Sequence, residues 1–164
     1  MLSRGVFAPK DTPRKGQSSM STGEQDRVIA YIDGFNLYHG MSEAGWRRYL
    51  WLNSQALIAG LLQPGQRLLH TKYFTARVSG SRREDSRRRQ ALYLDAIATL
   101  PAVSVYEGQF KAETTTCHRC GHEWEKPEEK GTDVNIAVQM VSDALAGDVD
   151  TLLVVSGDSD LVPA

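Results

Sequence analysis

The alternation of apolar and polar stretches sets out the plan of this chain. "RVIAYID" (27–33) is an almost unbroken apolar run that ends in an acid, the pattern of a strand covered on both faces and therefore of a parallel sheet. "LNSQALIAGLL" (52–62) has helical spacing, "PGQ" turns the chain, and "RLLHTKYFTARV" (67–78) reads as a second strand closed by the breaker "SGS". "RREDSRRRQALYLDAIATL" (82–100) predicts a helix with Leu92, Ala96 and Leu100 on a common face, ended by Pro101. "VSVYEGQF" (103–110) predicts a third strand and "TLLVVSGDSD" (151–160) a fourth, again apolar before a polar end. Between them, "TDVNIAVQMVSDALAG" (132–147) places Val134, Val138, Val141 and Leu145 at helical spacing, with Gly147 as the stop. The order β-α-β-α-β-α-β specifies crossover connections and a parallel, three-layer α/β sandwich.

Composition narrows this plan without changing it. At 164 residues, 41% of them hydrophobic and 24% charged, the chain is sized for one domain with a real core. Residues 1–26 are rich in Ser, Gly, Pro and charge without an apolar period and read as a disordered leader, in which Met20 is an alternative start; the ordered domain spans 27–164. No apolar run is long enough to cross a bilayer and the leader lacks a signal-peptide core, so a cytoplasmic protein with no membrane partner is expected. The formal net charge of −1 does not discriminate between partners, because a neutral sum can hide a basic surface beside an acidic pocket.

In open parallel sheets, function collects at the carboxyl ends of the strands. The first strand here ends in Asp33 and the fourth runs into Asp158 and Asp160, while Asp133 stands in the first turn of the helix that feeds the fourth strand. Each acid alone fits ordinary turn or cap chemistry. Together, at the expected ends of the expected strands, they predict one crevice of four carboxylates. Like charges so placed repel and raise one another's pKa, and a divalent cation removes the conflict. Hard oxygen donors without imidazole or thiolate favour Mg²⁺ or Mn²⁺, which activate water and stabilise charge developing on a phosphoryl oxygen. A haloacid-dehalogenase-like phosphatase would want an acid at position 35, which is Phe, and a glycosyltransferase reading of Asp158 and Asp160 lacks a nucleotide-sugar domain.

"YIDGFNLYHG", "KGTDVNIAVQMVSDA" and "LLVVSGDSDLVP", in this order, resemble the NYN domain, the LabA-like branch of the PIN-like nucleases. The resemblance covers about 27–164 and implies a Rossmann-like PIN fold and a metal-dependent ribonuclease acting on RNA. It implies Asp33, Asp133, Asp158 and Asp160 as the metal-binding and catalytic acids. Asn36, in the loop after the first acid, and Thr132 and Ser156, beside the others, are implied to orient the substrate phosphate or the attacking water. A non-catalytic RNA-binding module that keeps fold and basic face is the rival reading.

The chain departs from that pattern in two places. It stops at Ala164, where the family continues with a helix, a further strand and usually another helix; a C-terminally incomplete domain is therefore expected, with uncovered apolar strands that invite aggregation or a partner, a homo-oligomer being one form of it. "CHRCGHEWEKPEEKG" also inserts a knuckle, at 114–129, in which Cys117 and Cys120 form half of a zinc ribbon. His118 and His122 are the near candidates to complete a structural Zn²⁺ site; the alternatives are sharing between subunits and a hairpin without metal. The basic segment 67–90 carries Arg67, Lys72, Arg77, Arg82, Arg83, Arg87, Arg88 and Arg89 against Glu84 and Asp85. Of these, Arg77, Arg82 and Arg83 are expected to hold a single-stranded RNA backbone beside the acids, the bland alternative being a solvated helix face. Tyr38, Trp46 and Trp51 read first as core residues, with base stacking as the alternative.

Overall fold

The structure, a computed structural model, describes residues 25–77 and 84–161. Its strands are β1 (Asp26–Asp33), β2 (Gln66–Ala76), β3 (Val103–Thr116), β4 (Glu123–Lys130) and β5 (Thr151–Val155), and its helices α1 (Gly34–Glu43), α2 (Ser54–Ala59), α3 (Glu84–Ala98) and α4 (Thr132–Ala146). The strands form one sheet in the order β4-β3-β2-β1-β5. The β1–β2, β2–β3 and β1–β5 pairs are parallel, so the expected sandwich with a parallel sheet is present, with β1 between β2 and β5. β4 is an addition: β3 runs past Phe110 to Thr116 and returns as an antiparallel hairpin, paired from Gln109↔Lys130 to Thr116↔Glu123. "EWEKPEEK" gives no strand signal because charge and an internal Pro are tolerated only at a sheet edge, which is where β4 lies.

Two cores lie on the two faces of the sheet. On one, Ala30, Ile32, Tyr73 and Val103 pack with Ile58 of α2, Leu94 and Ile97 of α3, and Leu37 of α1. On the other, Tyr31 and Phe74 pack with Ile136 and Met140 of α4 and with Leu161. The alternating register of β1 thus sends Tyr31 to one helix layer and Ala30 and Ile32 to the other.

Three details correct the sequence reading. α1 is a helix where the sequence suggests a loop, opened by Asp33 as its N-cap. In α3 the buried positions are Leu94 and Ile97, and Leu92 is 52% exposed. In α4 the buried stripe is Thr132, Ile136 and Met140, and Val134, Val138, Val141 and Leu145 all face outward. The reason lies in the sheet. The inward stripe of α4 also carries Gln139 and Asp143, which bind the ammonium of Lys72 at 2.7 and 3.0 Å, and Asp143 accepts a hydrogen bond from the Tyr31 hydroxyl. A mostly buried Lys at mid-strand requires polar partners, and this requirement outweighs the apolarity of the other stripe.

Candidate active site

Three chain segments meet at the carboxyl edge of the parallel strands. β1 delivers Asp33, the segment after β5 delivers Ser156 to Asp158, and Gly131, at φ +86°, turns the chain into α4 just before Thr132 and Asp133. A left-handed backbone at position 131 suits glycine and sets Asp133 in the first helical turn.

Hydrogen bonds fix these pieces to one another. Asp33 Oδ1 accepts from the Asn36 N–H at 2.9 Å, capping α1, and Oδ2 accepts from the Ser156 hydroxyl at 3.2 Å. Ser156 Oγ in turn accepts from the Asp158 N–H at 3.1 Å, and Asn36 Oδ1 accepts from the Gly157 N–H at 2.7 Å. A Cβ at Gly157 would stand 3.0 Å from that Asn36 oxygen, so the glycine permits the close approach. Asp158 Oδ1 accepts from the Asp160 N–H at 3.0 Å, closing the turn at Ser159–Leu161. Asn36 therefore lies in the first turn of α1 rather than in a loop, and its side chain ties that helix to the Asp158 segment.

The result is a cleft of about 430 Å³ lined by Asp33, Asn36, Thr132, Asp133 and Asp158 together with Phe35, His39, Gly40 and Glu43 of α1. Partial burial, and then the charges of Asp158, Asp33 and Asp160, raise the Asp133 carboxyl above the usual carboxylate range. Asp160 is outside the lining but close enough for its charge to be felt there. His39 and Glu43 escape the sequence reading because "GFNLYHGMSE", with two glycines and no clean apolar period, reads as loop. The cap signal Asp33-x-x-Asn36 followed by 36/39/40/43 spacing is the available clue.

The cationic residues are placed differently. Arg77 makes a bidentate pair with Glu107, at 2.8 and 2.7 Å, and Arg87 pairs with Glu84 at 2.7 Å. Arg82 and Arg83 lie outside the described residues. No arginine is among the described residues that line the acid cleft. Tyr38, Trp46 and Trp51 are 50, 51 and 57% exposed, so the expectation that they fill the core is corrected.

At the tip of the β3–β4 hairpin, Cys117 and Cys120 are free thiols. The Cys117 N–H donates to the His122 carbonyl and the Gly121 N–H to the Cys117 carbonyl, both at 2.8 Å. Backbone N–H groups of Arg119 and Cys120 hold the Cys117 thiol below its ordinary range. Among the described residues, no group of three or more His, Cys, Asp or Glu side chains is arranged to hold a metal ion, at this knuckle or in the acid cleft. The acid cleft nonetheless has the donor chemistry of a hard divalent cation: the carboxylate oxygens of Asp33, Asp133 and Asp158 on one lining.

Comparison with known proteins supplies a family. A 6-hydroxy-3-succinoylpyridine 3-monooxygenase of Pseudomonas putida is 32% identical over 171 residues, covering 84% of this chain and 54% of the relative, so the chain spans about half the length of that protein. A Vibrio parahaemolyticus protein of unknown function, known from its crystal structure, is similar at 17% identity and a TM-score of 0.49, over 86% of this chain and 72% of that one. No described helix is long and apolar enough to cross a membrane. The model of the NYN domain matches residues 27–164, a family whose members are generally nucleases; this chain, with its acids gathered at the carboxyl edge of a parallel sheet, belongs to the NYN domain family.

Proposed function

We propose that this chain is an Mg²⁺- or Mn²⁺-dependent endoribonuclease that hydrolyses phosphodiester bonds of single-stranded RNA. The observation that carries the reading is geometric: Asp33, Asp133 and Asp158, from three separate chain segments, line one cleft at the carboxyl edge of the sheet, a concentration of negative charge that a bound cation would neutralise. Asp33, Asp133 and Asp158 would hold the ion, with Asp160 beside them, and such an ion supplies charge stabilisation at the phosphoryl oxygens and a lowered pKa for water. The protein's own part is positional. Ser156 and Asn36 fix the Asp33 and Asp158 segments against each other. His39, on the α1 face of the cleft, is the group able to pass a proton to the departing oxygen. Thr132 lies on the lining as a contact for the substrate phosphate.

The name of the P. putida relative suggests ring oxygenation of a hydroxypyridine, and the rival within the family is RNA binding without turnover. The all-carboxylate donor set favours hydrolysis over the first. The test is cleavage of labelled single-stranded RNA with Mg²⁺ or Mn²⁺, beside an EDTA control, Asp158→Asn and a parallel assay on 6-hydroxy-3-succinoylpyridine. We expect metal-dependent cutting that falls at least about 10–100-fold in the variant, the loss seen even for groups that only support a ligand. Binding without cutting by the folded protein would leave the RNA-binding reading.

A further inference from the structure

Beside the acid cleft lies a second cavity, of about 390 Å³, within the range of roughly 300–1,000 Å³ typical of small-ligand sites. The two share Phe35 and His39 as lining residues and so adjoin along α1. Tyr38 and Trp51 stand at its mouth, half exposed, where an ordinary core would have buried them. Its inner wall is Tyr73 and Tyr93, whose rings meet edge to face at 6.0 Å, with Trp51 edge-on to Tyr93 at 6.1 Å. The Tyr93 hydroxyl donates to the Leu52 carbonyl at 3.0 Å, which fixes the ring that the others lean on. Arg89 and Gln90 of α3 bring a cation and an amide to the same cavity.

We propose that this cavity receives one unpaired nucleobase of the strand whose phosphate lies in the acid cleft. The inference rests on the hydrolase reading for the neighbouring site. A flat ring can pack against the aromatic side chains that line the cavity, behind which Gln90 Nε2 donates to the Ala76 carbonyl at 2.9 Å and to Thr75 Oγ1 at 3.4 Å, and the Arg89 cation suits the backbone outside it. The shared Phe35 and His39 make the base and the scissile phosphate parts of one continuous strand. This position also gives exposed aromatics a role that neither the core nor the cap chemistry assigns them.

The test is binding of a short fluorescein-labelled single-stranded RNA in EDTA, where no cutting intervenes, by wild type, Trp51→Ala, Tyr38→Ala and the conservative Trp51→Phe. Both alanine variants are expected to weaken binding by about 10-fold or more, with Trp51→Phe restoring most of it and thermal stability unchanged because both side chains are half exposed. An abasic nucleotide scanned along the RNA is expected to cost wild type as much at one position and to cost Trp51→Ala nothing there. Equal binding by the alanine variants, no position-dependent abasic effect, or no binding by wild type would overturn the proposal. Tight, Trp51-dependent binding without metal-dependent cleavage would keep the base pocket and overturn the hydrolase. Cleavage by a Trp51→Ala protein that binds normally would do the reverse.

Discussion

Asp33 divides its two carboxylate oxygens between structure and site: Oδ1 caps α1 through the Asn36 N–H and Oδ2 meets the Ser156 hydroxyl beside the cleft. The two roles can be separated because Asn caps a helix about as well as Asp. Asp33→Asn is expected to keep the melting temperature close to wild type while abolishing metal-dependent cleavage. Asp33→Ala should lose both, with about 1 kcal/mol of stability gone with the cap. Parallel thermal melts and RNA cleavage assays read the difference, and a fully active Asp33→Asn would remove the carboxylate from the chemistry. Asp133 gives a prediction of opposite sign. Its folded pKa is raised, so the folded state binds the proton more tightly than the unfolded chain, and stability falls as pH rises from the ordinary carboxylate range through the raised value. Asp133→Asn should therefore melt no lower than wild type at neutral pH, any gain being kept small by the solvent exposure of Asp133, and the gap should close below the ordinary Asp pKa of about 4. Melting curves across that range, without divalent cation, check it; a clearly lower melting temperature at neutral pH would contradict the raised Asp133 pKa.

At the scale of elements, the strands and their acid termini can be read from the sequence because buried parallel strands are continuous apolar runs and their polar ends stand out. Helix faces cannot. In α4 the chain offers two stripes, and which one meets the sheet depends on Lys72, a residue far upstream in the sequence that demands Gln139 and Asp143. The same blindness hides α1, whose identity as a helix is set by a cap and by a packing contact rather than by period. Gly34 is that contact: a Cβ there would lie 2.4 Å from Cε1 of the buried Tyr73 ring. Gly34→Ala is expected to force the first turn of α1 away from β2, costing about 1–3 kcal/mol as overpacking does, and to displace Asp33 and Asn36 together. Urea denaturation would measure the first effect and cleavage the second. In contrast, Val138→Gln on the outward face of α4 should stay within about 0.5 kcal/mol, whereas Ile136→Ala on the inward face should cost about 2–5 kcal/mol. Similar losses at both positions would contradict the assigned faces.

Across the whole molecule, the two ends of the parallel sheet carry different work. The carboxyl end holds the acids, their concentrated charge and the two cavities. The amino end is closed by polar clasps between distant segments: Asp26 Oδ2 accepts from Gln66 and Thr151 at 2.9 and 2.8 Å, and Asp150 accepts from the Arg27 backbone and guanidinium at 2.8 to 3.0 Å. These contacts bind β5, an edge strand, to the start of β1. Hydrogen bonds from the Arg27 side chain and backbone hold the Asp150 carboxyl down to about 2. A depressed folded pKa contributes stability that is fully present above the unfolded value of about 4 and is lost as pH falls toward about 2. Asp150→Asn should thus melt below wild type at neutral pH, and the difference should vanish by about pH 2. Because the clasp lies at the opposite end of the strands from Asp33, the same variant is expected to cleave RNA at the wild-type rate well below its melting temperature. A variant that lost activity in step with stability would mean that the two ends of the sheet are coupled, and that the site depends on the seating of β5 as a whole rather than on the local bonds among Asp33, Asn36, Ser156 and Gly157.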